Sequence, residues 1–437
     1  MNYWYCAQAT QPAQPLWLWF LPLACRRMFF CLMMTGLLAA LPVQANEPLT
    51  LPQAIQISLQ QHPQLRAVQW RLQAATHQQN AAALKPAIRA GIEAENLAGS
   101  GAYSGLQQGE ITLSLSSILE PTALRAARRQ VADSDYQHMQ AQQNAAALEL
   151  LAQVTRQFIR TLAAQEQLSL LQEAATLAEK NEALTSELGR RGATASLEVL
   201  RARAAREQAE IQVQDAAAAL ASERFTLALL LNPEQEWEQK PAELSGSLFS
   251  LPQTDDLAQL QQQLEQSAWM QARISEARRA DAGLALVRSQ SNAELEWNLG
   301  VRHLEESGDQ ALVAGISLPL GSSRRNRSGI QAAEAERQAL QLEQQADRQR
   351  ARTELTQIWQ AHQSSHSRAR RLEQTVIPLL AQASEQARTA YERGAYRYSD
   401  WMQVQQEWLE ARQQRIDAAA STWLHHTRLV QLTAARP

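Results

Sequence analysis

The chain has 437 residues, of which 19% are charged, and its formal net charge is −3. This balance excludes the strongly basic surface that a polyanion-binding protein needs. Aromatic residues make up 5% of the chain, while Ala, Gln, Leu, Glu and Arg predominate, which is typical of long packed helices rather than of a large globular core.

The first segment, 1–45, has the pattern of a secretory signal peptide. Arg26 and a second arginine precede an apolar run of about 14 residues, and small residues precede the expected cleavage before Asn46. We expect translation to start at Met28. A retained membrane helix is the alternative, but a membrane span needs about 20 apolar residues. The mature chain is therefore expected to be exported.

All cysteines lie in this segment, at Cys6, Cys25 and Cys31. The expected mature chain has no thiol, which excludes a disulfide framework, a cysteine-ligated zinc site and cysteine nucleophile chemistry. Cys31 lacks the small preceding residues of a lipid-attachment site, so we expect no lipoprotein.

The first half of the mature chain, predicted as 46–231, begins with two helices and two strands. One helix ends near His62, and the next is stopped by Pro86. The strands are expected at about 87–97 and 109–119, because apolar and polar residues alternate there.

A long helical hairpin completes this half. The residues from Thr122 to Leu188 include neither Gly nor Pro, so an unbroken helix would be about 100 Å long. Its apolar residues recur at spacings of three and four, which is typical of coiled-coil-like packing. Gly192 marks a turn, and a returning helix of about 35 residues follows.

A linker rich in Pro, Gly and Ser is predicted at 232–252, between the two halves. The second half, 253–437, repeats the order of elements, with strands at about 293–304 and 310–320. We therefore expect two copies of one structural plan within the chain.

The correspondence between the halves is close in spacing. Ile92 corresponds to Leu299 and Gly192 to Gly394, an offset of about 200 residues. Pro378 interrupts the second long helix and is expected to kink it or to split it in two.

Each predicted strand has one apolar face, which needs either a soluble core or lipid. The helices already use their apolar stripes on one another, so lipid is the expected partner, and segments of about ten residues have the length of membrane strands. Four strands cannot close a barrel, whereas three chains would supply twelve. The predicted fold is mainly α, with four transmembrane strands per chain in a trimeric α/β barrel tunnel.

These features together resemble the TolC-type outer membrane efflux proteins. The matching stretches are the opening LTLPQAIQISLQQHPQL, the paired strands, ISLPLGSSRRNRSGI after the fourth strand, and the turns LGRRG and YERGAY. The strand pair EAENLAGSG and GEITLSLSSILE is most similar to the CzcC-like cation-efflux branch. PTALRAARR stands where that branch commonly has a Gly-Gly-Lys-Arg element.

The resemblance implies a homotrimer in the outer membrane of a Gram-negative bacterium, with a long periplasmic extension. Its partners would be a periplasmic adaptor and an inner-membrane resistance-nodulation-division pump, and no cofactor is expected. The implied function is a passive exit duct for heavy-metal cations, with drug efflux or type I protein secretion as alternatives. A secreted coiled-coil structural protein is the rival from a different class. The chain has no catalytic or phosphate-binding motif, so we expect no enzymatic activity.

The resemblance also implies a periplasmic gate at the hairpin turns. The family pattern carries over to Glu198 and Asp400, after the turn glycines, and to Tyr391, which would bond across helices. The second aspartate of that pattern is replaced by Gln403. The alternative is that both acidic residues only complement the positive end of a helix dipole.

The turns themselves supply further candidates. Gly192 and Gly394 would form the turns, while Arg190, Arg191 and Arg393 would pair with the gate carboxylates or contact the adaptor. The alternative for the arginines is that they are solvated cations at helix ends.

Two histidine pairs are weak metal candidates. His362 and His366 lie four residues apart on a predicted helix and could reach one metal ion, but two imidazoles without a third ligand make a poor site. His425 and His426 are adjacent, so they are expected to point to different faces. We therefore predict no resident metal site.

Overall fold

The computed structural model describes residues 48–97, 99–231 and 243–436. The predicted signal peptide at 1–45 and residues 232–242 of the predicted linker lie outside the described residues. Among the helices of the described ranges, none has a stretch long and apolar enough to cross a membrane.

Long helices and short strands alternate along the chain in an order that occurs twice. In the described residues the helices are α1 (Leu51–Gln61), α2 (Pro63–Ala83), α3 (Thr122–Arg190), α4 (Ser196–Leu231), α5 (Leu257–Gln266), α6 (Ala268–Ser289), α7 (Ser322–Arg371), α8 (Ile377–Glu392) and α9 (Tyr398–Thr433). The strands are β1 (Leu49–Thr50), β2 (Arg89–Glu95), β3 (Glu110–Leu119), β4 (Leu244–Ser245), β5 (Leu295–Leu304) and β6 (Gln310–Ser317).

The four longer strands form one antiparallel sheet in the order β2-β3-β5-β6. Its register aligns apolar residues in rows across the strands, as in the row Ile92, Leu113, Val301 and Leu312. Since successive side chains point to opposite faces, this alignment gives the sheet one apolar and one mainly polar face.

The apolar face has no cover from the described part of the chain. Ile92 is 76% exposed and Leu113 is 61% exposed. Such exposure is normal for charged surface residues but not for aliphatic residues aligned in a row. The other exposed large apolar residues of these strands are Ile111, Leu115, Leu119, Leu299, Val301, Leu312 and Ile316. A contiguous apolar surface of this kind requires a partner outside the described residues.

The two outer strands, β2 and β6, are shorter than the inner pair. β2 has seven residues and β6 has eight, whereas β3 and β5 have ten each. β6 ends at Ser317, shortly before Pro319, which has no N–H to donate to a strand ladder. Each outer strand has one side unpaired in the described chain, so the sheet has two open edges.

The longest helix of the described residues, α3, spans 69 residues. It packs against α2, α4, α6 and α9. Val154, Phe158 and Leu162, spaced by four, are at most 2% exposed and form the centre of the main core cluster. Burial of such side chains contributes roughly 1.5–3 kcal/mol each.

The second long helix is divided, as Pro378 predicts. A π-helical turn, Leu372–Val376, separates α7 from α8, and Pro378 lies in the first turn of α8. Pro378 has no N–H to donate to the preceding turn, and the wider π-helical turn accommodates the missing hydrogen bond.

The described end of the predicted linker is packed rather than free. β4 pairs in parallel with β1 through Leu244 and Leu49. Leu244 is 5% exposed and Leu248 is fully buried, and both belong to the main core cluster. This segment therefore attaches the start of the second half to the first.

Candidate functional site at the helical-hairpin tips

Both hairpin tips turn through a glycine in the same backbone conformation. Gly192, between α3 and α4, has a φ of 73°, and Gly394, between α8 and α9, has a φ of 74°. Only glycine adopts this left-handed region without strain from a Cβ atom. The N–H that follows, of Ala193 or Ala395, donates to a carbonyl of the preceding helix at 2.9 Å. The two turns are thus built in the same way.

Glu198, Tyr391 and Thr194 meet between the two hairpins. The Tyr391 hydroxyl donates to Oε2 of Glu198 at 3.4 Å and lies 3.3 Å from Oγ1 of Thr194. The Thr194 hydroxyl donates to the same carboxylate oxygen. Two of the residues selected from the sequence are therefore brought together, and Thr194 is their shared partner.

The ring of Tyr391 belongs to an aromatic group, Tyr391, Tyr398 and Trp401, which we call the tip cluster. Tyr391 stacks on Trp401 with ring centroids 5.0 Å apart, and Tyr398 meets these two rings edge-on at 5.9 and 6.0 Å. All three are buried, and they pack with Ala202 of α4 and Ala387 of α8. Such ring pairs contribute about 0.5–1.5 kcal/mol beyond simple burial. The tip cluster therefore joins the hairpins by packing.

The Tyr398 hydroxyl is buried and has no hydrogen-bond partner among the described residues. Burial, with Tyr391 and Glu198 acting in the same direction, raises the pKa of Tyr398 to about 12. The phenol is therefore neutral at physiological pH. A buried hydroxyl without a partner costs roughly 1–3 kcal/mol, so a rearranged tip that supplies a partner would recover this energy.

Asp400 lies apart from the Glu198–Tyr391 contact. It is exposed in the first turn of α9, and its Oδ1 accepts a hydrogen bond from the Ser399 hydroxyl at 3.2 Å. Gln403 is also exposed and donates to Glu407 of its own helix. A ring of Asp400 carboxylates would therefore need further copies of the chain.

The turn arginines do not pair with the gate candidates. Arg190 and Arg191 both pair with Glu187, at 2.5 and 2.8 Å, on the exposed end of α3. Pairs of this kind are worth only about 0.3–0.5 kcal/mol. Arg393 is exposed and pairs with no carboxylate of the described ranges, so its guanidinium is open to an external acidic group.

The sequence does not single out Thr194, Glu187 or Trp401. Trp401 is 2% exposed and is the largest of the fully buried side chains, and a tryptophan in a helix rich in Gln and Ala is a signal that could have found it. Thr194 carries no such signal, because its contacts depend on how the hairpins pack.

The histidines of α7 and α9 lie together. The His362 ring is 6.0 Å from that of His366 and 5.9 Å from that of His426, while Nδ1 of His425 lies 3.4 Å from Oγ of Ser365. His425 and His426 have different neighbours, Ser365 and His362, but both neighbours lie on α7. In the part of the chain that the structure describes, no three His, Cys, Asp or Glu residues are arranged to hold a metal ion.

Arg302 connects three strands on the polar face of the sheet. Its guanidinium lies 2.7 Å from Glu110 and 2.8 Å from Glu95, and it donates to the Thr112 hydroxyl at 3.0 Å. β5 carries the arginine, and β2 and β3 carry its partners. The charged residues thus lie on the face opposite to the exposed apolar residues.

This architecture matches that of a known channel family. A sequence model of the family described as "Outer membrane efflux protein" matches residues 54–233. The first half of the chain is therefore similar to this family. This match agrees with the predicted outer-membrane localisation and with a channel rather than an enzyme.

One relative in the efflux family is the cobalt-zinc-cadmium resistance protein CzcC of Cupriavidus metallidurans. It is 28% identical over 276 residues, which cover 63% of this chain and 65% of the relative. The match therefore spans slightly less than two thirds of that relative's length. It agrees with the predicted resemblance to the CzcC-like branch.

Solved outer-membrane proteins share the fold. CusC superposes with a TM-score of 0.76 at 18% identity, covering 88% of this chain and 92% of CusC. The outer-membrane channel OprN gives 0.74 at 16% identity over 88% and 90% of the two chains. VceC of Vibrio cholerae gives 0.72 at 18% identity over 88% and 96%. The predicted fold class, helical with a small set of strands, is confirmed.

Proposed function

We propose that the chain is the outer-membrane exit duct of a tripartite efflux system. The observation that supports this most strongly is the four-stranded sheet, which has an exposed apolar face and two open edges and is attached to long helical hairpins. Unpaired strand edges in hydrocarbon cost several kcal/mol per backbone group, so the sheet must be completed by other strands.

Three chains would complete it with twelve strands, an even number that is usual for an outer-membrane barrel. The polar face, with Arg302 and its carboxylate partners, would line the interior, and Ile92 and Leu113 would face lipid. The helices of the three chains would continue the duct into the periplasm. The repeated order of elements supports the division into repeats 46–231 and 253–437.

The duct would be passive, because the sequence offers no motif for binding or hydrolysing a nucleotide. The transport energy would come from an inner-membrane pump of the resistance-nodulation-division class, linked through a periplasmic adaptor. The open guanidinium of Arg393, at one hairpin tip, is a candidate contact for an acidic group of the adaptor.

Heavy-metal cations are the proposed substrates. The support is the similarity to a relative named for cobalt, zinc and cadmium resistance. Weak transient contacts suit such a duct better than tight ligation, because a tightly bound cation would not leave. Drug efflux is the alternative substrate class within the same duct.

The hairpin tips are the proposed periplasmic gate. The Tyr391–Glu198 hydrogen bond and the tip cluster hold the two hairpins of one chain together. In a trimer, three copies of Asp400 would lie near one axis, where like charges favour a bound cation or raise the carboxyl pKa.

Resistance profiling of a strain that lacks the gene tests the duct and its substrate. We expect growth to become sensitive to zinc, cobalt or cadmium, and the wild-type gene to restore resistance. Sensitivity to dyes and detergents alone would keep the duct and overturn the cation assignment. A protein that is extracted without detergent and shows no trimeric band would overturn the duct itself.

A further inference from the structure

Four histidines interrupt an otherwise apolar seam between α7 and α9. On one side lies an apolar cluster with Leu355 and Leu429, and on the other side lies one with Leu372 and Ala418. Between these clusters is what we call the histidine cluster: His362, His366, His425 and His426. None of these side chains takes part in the proposed gate.

His362 is the centre of the histidine cluster. It is 1% exposed, and neither ring nitrogen makes a hydrogen bond of normal geometry with any described residue. The rings of His366 and His426 lie on either side, at 6.0 and 5.9 Å. An apolar side chain at this position would avoid the cost of removing a polar ring from water. What an imidazole adds here is the ability to take up a proton.

The charged groups that face the cluster come from two of the three elements around it. α7 supplies Arg370, which acts on His366, and the segment before α5 supplies Asp255, which acts on His426. α9 supplies histidines of the cluster itself. Arg370 disfavours a proton on His366, Asp255 favours one on His426, and protons on neighbouring imidazoles repel one another.

Burial keeps these imidazoles neutral below the pH at which an exposed histidine takes up a proton. It lowers the pKa of His362 from 6.5 to about 4, and the neighbouring histidines act in the same direction against a weaker opposing effect of the Pro252 carbonyl. Burial also lowers the pKa of the three others, His366, His425 and His426. The pKa of His362 is lower in the folded chain than in the unfolded chain. Its contribution to the stability of the α7–α9 seam is therefore complete above about pH 6.5 and is lost as the pH falls towards about 4.

A break in the regular α-helix follows the histidine cluster directly. The π-helical turn Leu372–Val376 begins six residues after His366, and Pro378 follows it. α7 can therefore move away from α9 without breaking a regular helix, because the backbone already departs from α-helical geometry at this point.

We propose that the histidine cluster is a proton-operated latch, in which neutral imidazoles hold α7 against α9 and protonated imidazoles separate the two helices. The latch would couple acidity to the packing of the second hairpin, whose far end is the tip cluster. It depends on the seam within one chain and not on what the duct transports.

The seam can be tested with the full mature chain in detergent, with EDTA present. Spin labels at Ser367→Cys and Gln414→Cys report the α7–α9 distance, since both positions are exposed and the described chain has no cysteine. We expect the distance distribution to lengthen and broaden between about pH 7.5 and about pH 4.5. In a His362→Leu background the change should be much smaller, because only the three other histidines of the cluster still take up protons.

Thermal unfolding gives a second measurement, and His77→Leu is the matched control because His77 is exposed on α2. Over the same pH range, the wild type and the control should lose about 5 °C or more in melting midpoint relative to His362→Leu. His366→Gln, at the rim, should give an intermediate loss. Parallel pH curves for wild type and His362→Leu would overturn the latch, as would a separation that appears only when Zn²⁺ is added.

Discussion

The hydroxyl of Tyr391 on the second hairpin donates to the carboxylate of Glu198 on the first, across 193 positions of sequence. Thr194 contacts both groups, and the Tyr391 ring stacks on Trp401 directly behind the hydrogen bond. The hydrogen bond joins the two hairpins, whereas the stacking contact joins α8 and α9 within the second hairpin. Separating the two hairpins at their tips must break the hydrogen bond.

Replacing Tyr391 with Phe should loosen the tips without emptying the tip cluster. The ring stays, but the hydrogen bond to Glu198, worth about 0.5–1.5 kcal/mol, is lost. We expect a higher open fraction and higher conductance of the purified protein in planar bilayers. Tyr396→Phe is the control, since Tyr396 is 50% exposed. Equal conductance of the two variants would exclude a gating role for the hydroxyl.

Replacing Trp401 with Ala should destabilise the helical hairpins. The side chain is 2% exposed and packs on two tyrosines, and the loss of such a ring costs about 3–5 kcal/mol. The melting midpoint should fall by several degrees. Trp70→Ala removes the same group from a position that is 67% exposed and should change the midpoint little. Similar losses for both variants would contradict the assigned role of the tip cluster.

Replacing Ile92 with Arg should block membrane insertion. Ile92 lies on the exposed apolar face, where an arginine at the bilayer midplane costs roughly 2–4 kcal/mol. We expect less protein in the outer-membrane fraction and a weaker trimeric band. Glu93→Arg adds the same side chain on the opposite face and should insert normally. If both variants insert equally well, lipid does not cover this face.

Replacing Arg302 with Met should weaken the sheet and change ion selectivity. The substitution leaves Glu95 and Glu110 without their cation, and each lost charge-assisted hydrogen bond is worth roughly 1.5–3 kcal/mol. We expect the reversal potential in a salt gradient to shift towards cation selectivity. Arg302→Lys keeps the charge and should stay near the wild type. An unchanged reversal potential in the Met variant would mean that this face does not line the conduction path.

The helices and strands of the fold could be predicted from local sequence patterns. Alternation identified the strands, the absence of Gly and Pro identified α3, and Pro378 marked the division of the second long helix. These features are local because backbone conformation responds to neighbouring residues within a few positions. The family features of the turns also led to Glu198, Tyr391 and Asp400 as gate candidates.

The sequence by itself therefore determined the elements, their order and the strands with one apolar and one polar face. Only the tertiary structure decided that Tyr391 reaches Glu198 while Asp400 does not, and that His362 and His426 face each other across one seam. Such contacts depend on how far each helix is rotated and shifted along its neighbour. Two alanine-rich helices can pack in many alignments that all agree with the spacing of their apolar residues. The packing of the whole chain selects one of these alignments.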